Sequence, residues 1–306
     1  MNLDFSDVKV LLIGDYMIDH YVIGNSNRMS PEALVPVVIP EDEYFIPGGA
    51  GNVAMNLSKM GSKVTCMGAV GQDTFGESLI QILNRNNVNT EFIEVIASHT
   101  TTLKQRIYCN GTQIARVDKE KFLQWSPNSL EKINYTDYDI IILSDYNKGA
   151  LMLPWFFKPK GINVILDPKN KSWEHLFMHS NIITPNINEL EELSEIVISN
   201  NDSILIACNK LIEENNFDYV IAKKGDQGIT IVGKQKFVKN IDPFNVENPD
   251  VTGAGDTVIA ALSIAYAKTN DIEFSSKFAN AAAANVVGKV GTASANIKQI
   301  KELLFK

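Results

Sequence analysis

The chain has 306 residues, 45% of them hydrophobic and 21% charged, which suits a globular protein with a large buried core. Its 28 basic and 36 acidic side chains leave a net charge of −8 with no basic block, so nucleic-acid binding has no electrostatic footprint. Cys66, Cys109 and Cys208 are odd in number and far apart, which fits a reducing cytoplasm better than a disulfide framework or a zinc site. The opening MNLDFSDVKVLLIGD is unlike a signal peptide, and the longest apolar run, Val258 to Ala267, is too short to span a bilayer. The expectation is a cytoplasmic protein without membrane contact.

In chain order, VKVLLIGD (8–15) reads as a buried strand ending in Gly-Asp. GGAGNVAMNLSKMG (48–61) opens with glycines, shows apolar spacing at Val53, Met55, Leu57 and Met60, and stops at Gly61, which predicts a helix. KVTCMGAVG then reads as a strand and DTFGESLIQILNRNN as a helix. Later strands are YDIIILSDY, GINVILDP, SNIITPN, YVIAKKG and GITIVG, with NELEELSEI and DSILIACNKLIEENN as helices between them. Such alternation predicts an α/β fold with a doubly wound, mostly parallel sheet flanked by helices. Ligands gather at the carboxyl ends of such strands, where Gly14-Asp15, Ser144-Asp145, Asp167-Pro168 and Pro185-Asn186 fall.

Two segments, about 16–47 and 98–118, break the rhythm, and the second carries Asn110-Gly111, a strong hairpin signal. Together they predict a small β lid over the main sheet of a single 1–306 domain. Exposed lid strands need cover, which points to a homodimer.

Several motifs fail as chemistry. GITIVGKQ (228–235) nearly matches a phosphate loop, but Gln235 replaces the required Ser or Thr and the spacer residues are β-branched strand formers. His175 and His179 sit one helical turn apart with no third ligand in view, so a surface pair is the better reading. In TPNINELEEL, Asn186 and Glu189 have the spacing of a capping box, and equally of two polar groups facing a metal or phosphate. PGGAGN (47–52) lets backbone approach a ligand at a helix start, or is simply a tight loop. DVTGAGDT (250–257) is stronger. Glycines 253 and 255 let successive N–H groups converge into an anion-binding hollow at a helix N-terminus. An acidic residue in a first turn gains only about 0.3–1 kcal/mol from the helix dipole. That would explain Asp256 but not the Gly-Ala-Gly before it.

Taken together, DVTGAGDT, PGGAGNVAMNLSKMG with GAVGQDTFG, TPNINELE and KKGDQG (223–228) resemble, in order, the signatures of the ribokinase-like (PfkB) carbohydrate kinases. GDYMIDHY, RMSPEALVPVV, LSDYNKGAL, ILDPKN and ANVVGKVGT are similar to the D-glycero-β-D-manno-heptose-7-phosphate kinases within that family. The pattern departs at Asn147 and Asn170, where glycine is expected, and at Leu34, where proline is. Asn tolerates left-handed backbone, so both loop shapes can survive.

The resemblance implies phosphoryl transfer from ATP with Mg²⁺ to a sugar hydroxyl, and leaves open a monovalent cation of the kind common in the family. Asp256 would take the hydroxyl proton, and the N–H groups of Gly253, Ala254 and Gly255 would stabilise the transferring group. Asn186 and Glu189 would orient Mg²⁺ through water. Asp15, Asp19, Gly48, Gly49 and Asn52 would bind sugar hydroxyls. Lys223, Gly225 and Gly228 would lie near the nucleotide phosphates, and Asn280, Ala283 and Val287 near adenine. A substrate phosphate needs a cation, for which Arg28, Arg106, Lys148 and Lys169 are candidates.

Some relatives carry a fused nucleotidyltransferase with an H-x-G-H motif, which the 306 residues lack, so the kinase step alone is expected. Two rivals stand beside this reading. One is a kinase for ribose, fructose, a fructose phosphate or a nucleoside; the other is a non-catalytic sugar- or nucleotide-binding regulator.

Overall fold

The computed structural model describes residues 3–169, 174–244, 246, 253–287 and 295–305. The first stretch runs β1 (Lys9–Gly14), β2 (Tyr16–Asn25), β3 (Ile39–Gly49), α1 (Ala50–Lys59), β4 (Lys63–Gly71) and α2 (Thr74–Arg85). It continues with β5 (Asn89–Ile96), β6 (Thr102–Cys109), β7 (Thr112–Lys119), β8 (Ile140–Ser144) and β9 (Asn163–Asp167). Then come α3 (Glu174–Phe177), β10 (Ile182–Ile183), α4 (Ile187–Ser194), α5 (Asn201–Asn215) and β11 (Tyr219–Lys223). β12 (Ile229–Gly233), β13 (Phe237–Ile241), α6 (Ala254–Thr269), α7 (Ile272–Val287) and α8 (Ile297–Leu304) complete the order.

Nine strands form one sheet in the order β13-β12-β11-β10-β9-β8-β1-β4-β5, parallel from β11 to β5 and antiparallel at β12 and β13. The predicted doubly wound architecture is therefore present. β5 and β13 are additions that the apolar pattern alone did not mark, because both are edge strands with several exposed residues.

β1 shows why the sheet is a two-sided core. Val10 and Leu12 join the cluster beneath α1, α2, α6 and α7, while Leu11 and Ile13 join the one beneath α4 and α5. A strand apolar on both faces has no solvated side, so truncating Leu12 to Ala would cost about 2–5 kcal/mol. Gly14 is required by packing, since a Cβ there would sit 2.2 Å from the Ser144 carbonyl oxygen.

The small sheet has the order β3-β2-β6-β7 and is built from the two segments that break the α/β rhythm. β6 and β7 form the expected hairpin, with Asn110 at φ 50° and Gly111 at φ 79°. Asp15 is the single residue between β1 and β2, and Gly49 ends β3 directly before α1. Tyr16 pairs with Gly49, and the Ala50 N–H donates to the Asp15 carbonyl (3.0 Å). On β2 and β3, His20 stacks on Phe45, whose ring meets Phe75 of α2, so one face of the small sheet rests on the body.

The near-match to a phosphate loop is indeed strand: β12 occupies 229–233, and Lys234 pairs with Asp218 (2.8 Å). All three cysteines are buried and free. Among the described residues no helix is long and apolar enough to cross a membrane.

Candidate active site

The carboxyl ends of β1, β8, β9, β10 and β11 open on one edge of the large sheet, facing the small sheet and the start of α6. Gly253, with φ 75°, caps α6, a left-handed geometry that favours glycine. The chain there delivers Asp256 in the first turn, only 7% exposed. α6 holds that turn in place because Val258 to Tyr266 are buried against α1 and α7.

Asp256 is gripped from two sides. The Asn52 side-chain amide donates to its Oδ2 (2.7 Å), and the Tyr146 hydroxyl donates to its Oδ1. Burial pushes its carboxyl up to about 6, against the two donors that pull it down; the Asp167 charge raises it further and Lys223 lowers it. A buried carboxylate with a raised pKa and a fixed orientation is suited to take a proton near neutral pH.

Asp256 lies in a hollow of about 240 Å³ that is also lined by Asp19, Gly48, Gly49, Asn52, Lys104, Asp145, Tyr146, Asp167, Lys169, Asn186, Glu189, Lys223, Gly253 and Gly255. A second hollow, about 510 Å³ and more apolar, is lined by Gly225, Gly228, Pro243, Phe244, Ala254, Val258, Asn280, Ala283 and Val287. Asn186, Lys223 and Gly255 border both. The Gly255 backbone faces Lys223, whose Nζ would be 3.8 Å from a Cβ added there. Two spaces, the second within the ~300–1,000 Å³ usual for ligand sites, thus meet at a helix N-terminus and a lysine.

The shared boundary is an ion-pair network. Lys223 donates to Asp167 Oδ1 (2.6 Å), which also accepts from the Thr184 hydroxyl (2.7 Å). Burial opposes the Lys223 charge, but the Asp167 and Glu189 carboxylates outweigh it and raise its pKa. Asn186 and Glu189 do form the capping box of α4, each side chain bonded to the other's backbone N–H at 2.9 Å. The cap and the ligand-facing position are not alternatives, for both residues line the hollow as well.

Other expected residues lie elsewhere. Asp15 does not line either hollow; its carboxylate accepts from the N–H groups of Tyr146 (2.8 Å), Lys148 (3.0 Å) and Ala150 (2.9 Å). It therefore shapes the 146–150 loop, and Asn147 there takes φ 54°, the left-handed form expected of it. Burial raises the Asp15 pKa against those three donors, and burial with the Asp15 charge raises that of its neighbour Asp145. Arg28 is exposed at the far end of the small sheet, beside Met29, Pro36 and Asn110, away from the Asp256 hollow. Lys148 turns to Glu120 (2.7 Å), and Arg106 reaches the hollow only through Asp19 (2.5 Å). His175 and His179 are half-buried, and among the described residues no group of three or more His, Cys, Asp or Glu side chains could hold a metal. Asn170, Thr252 and the KVGT stretch fall outside the described residues.

Asp145 and Asp167, at the strand ends where ligands were expected to gather, do line the hollow, whereas sequence reasoning missed Tyr146 and Lys104. For Lys104 the signal was present: alternation along β6 puts it on one face with Thr102 and Arg106, beside Asp19 in register.

Residues 8–299 match the model of the pfkB family carbohydrate kinases. The chain belongs to that family. It is accordingly a carbohydrate kinase by kinship, and its fold agrees. The ribokinase of Arabidopsis thaliana, complexed with ribose and ATP, matches at TM-score 0.80 and 20% identity over 97% of this chain and 98% of that one. Phosphofructokinase-2 from Escherichia coli, in complex with potassium, matches at TM-score 0.80 and 20% identity over the same shares. Among curated relatives, the bifunctional protein HldE of Hydrogenovibrio crunogenus is 36% identical over 99% of this chain, and that of Sulfurimonas denitrificans is 36% identical over 96%. The chain spans 64% of the length of both.

Proposed function

We propose that the protein transfers the γ-phosphoryl group of ATP to O1 of D-glycero-β-D-manno-heptose 7-phosphate, giving the 1,7-bisphosphate for ADP-heptose and surface-polysaccharide synthesis. The observation that carries the reaction is Asp256 in the polar hollow, held by Asn52 and Tyr146 and next in sequence to Gly255, which borders both hollows. The heptose phosphate rests on the RMSPEA and LSDYNKGAL stretches and on kinship with the HldE proteins.

In this reading the sugar occupies the polar hollow, with Asp19, Asn52 and the backbone at Gly48 and Gly49 meeting its hydroxyls. Asp256 accepts the O1 proton as that oxygen attacks the γ-phosphorus and the bond to the ADP leaving oxygen breaks. The N–H groups of Gly253, Ala254 and Gly255 meet the charge on the phosphoryl group, and Lys223 stands at the same boundary. Gly225 and Gly228 approach the nucleotide phosphates, and Asn280, Ala283 and Val287 enclose adenine. Asn186 and Glu189 would hold Mg²⁺ through water, and the bound ion would neutralise phosphate charge. The oxygen donors suit it, since Mg²⁺ keeps several waters and relies on ligand phosphates more than on a protein cage. A second copy of the chain would cover the apolar side chains exposed on the small sheet and its β2–β3 connection, Leu34 (95% exposed) and Val117 among them.

An ATP-consumption screen over sugars and sugar phosphates tests the reading. Turnover on heptose 7-phosphate, lost in Asp256→Asn, supports it. Turnover confined to another sugar, or nucleotidyl transfer by this chain alone, overturns it. Light scattering of the wild type and Leu34→Glu checks the dimer, which the charge should split.

A further inference from the structure

Nearly every cation around the Asp256 hollow already has a carboxylate. Arg106 pairs with Asp19 (2.5 Å), Arg116 with Asp118 (2.6 Å), Lys148 with Glu120 (2.7 Å), Lys169 with Glu189 (3.1 Å) and Lys223 with Asp167 (2.6 Å). Lys104 lines the hollow and has no ion-pair partner among the described residues. Strand register explains this. Lys104 on β6 sits beside Asp19 of β2 and across from Asp118 of β7, yet Arg106 holds the first and Arg116 the second. What remains to Lys104 is the face of the Tyr146 ring, 5.8 Å from ammonium to centroid. Burial lowers its pKa, and its charged neighbours Asp19, Arg116, Lys148 and Glu120 balance in sign. A half-buried ammonium without a counter-ion, in a ligand cleft, is complementary to an anion the ligand brings.

We propose that Lys104 receives the phosphate that the acceptor sugar already carries, and so selects phosphorylated sugars over neutral ones. The assignment rests on phosphoryl transfer in this hollow but not on the identity of the sugar. It replaces the four cations that sequence position suggested, three of which are paired and one of which is remote. Lys104 sits on the small sheet and Asp256 on α6, so the phosphate and the reacting hydroxyl would engage opposite walls of one hollow.

The test compares wild type, Lys104→Met and Lys104→Arg on a sugar phosphate and on the same sugar without its phosphate. Wild type should favour the phosphorylated sugar in kcat/KM. The Met variant should lose that preference by on the order of 10- to 100-fold, chiefly through KM, while Arg restores most of it. Calorimetry on the Asp256→Asn background should show the same loss in affinity for the sugar phosphate, independent of turnover. A Met variant that keeps the wild-type preference overturns the assignment, as does a wild type that prefers neutral or carboxylated sugars. If wild type turns over fructose 6-phosphate but not heptose 7-phosphate, and Lys104→Met abolishes that preference, Lys104 stands and the heptose reading falls.

Discussion

The two hollows that meet at Gly255 are built from opposite materials. The Asp256 side is walled by carboxylates, lysines and amides, nearly all bonded to one another before any ligand arrives. The other side is Pro243, Phe244, Val258, Ala283 and Val287, with few polar groups. A pre-bonded polar wall recognises by exchanging hydrogen bonds and charges, so a misplaced group leaves a buried partner unsatisfied. An apolar wall recognises by shape, where a missing methylene costs only about 1–3 kcal/mol. The first side should be intolerant of chemical change and the second of volume change.

The sharpest break is Asp256→Asn. It keeps the shape and removes the base, and kcat should fall by about 10²–10⁴ with little change in KM for ATP. Steady-state kinetics on both substrates checks this, and a loss confined to KM would move the residue to a binding role. On the apolar side, Ala283→Trp should raise KM for ATP about 10-fold, matching the ~1–3 kcal/mol of an overpacked contact. Binding of the sugar to the nucleotide-free enzyme should be spared, which calorimetry reads directly. The finest test is the pH profile. With the Asp256 carboxyl at about 6, kcat/KM should fall on the acid side of that value, because the base must be ionised. Tyr146 donates to the ionised form, so Tyr146→Phe raises the pKa and moves the acid limb to higher pH by roughly one unit. Rates well above that limb should converge.

Legibility in the sequence follows the same division. The glycine-rich start of α6, the capping box at Asn186 and the Asn110-Gly111 hairpin are local devices, each complete within a few residues. The α/β alternation is likewise written in apolar runs. Tyr146 and Lys104 are not legible in that way. Tyr146 matters because it bonds an aspartate 110 positions further along the chain, and Lys104 because two neighbouring carboxylates are taken by arginines. Asp15 shows the converse. A strand-end aspartate beside a glycine looks like a ligand group, yet its carboxylate accepts from three backbone N–H groups and lines neither hollow.

That residue also ties the small sheet to the site. β2 leaves the large sheet at Asp15 and β3 returns at Gly49, and the two crossings are tied by the Tyr16–Gly49 pairing and the Ala50-to-Asp15 bond. The carboxylate of the same residue grips the loop whose Tyr146 bears on Asp256. The root of the small sheet and the aim of Asp256 thus share one residue, and a substitution at position 15 should disturb both at once.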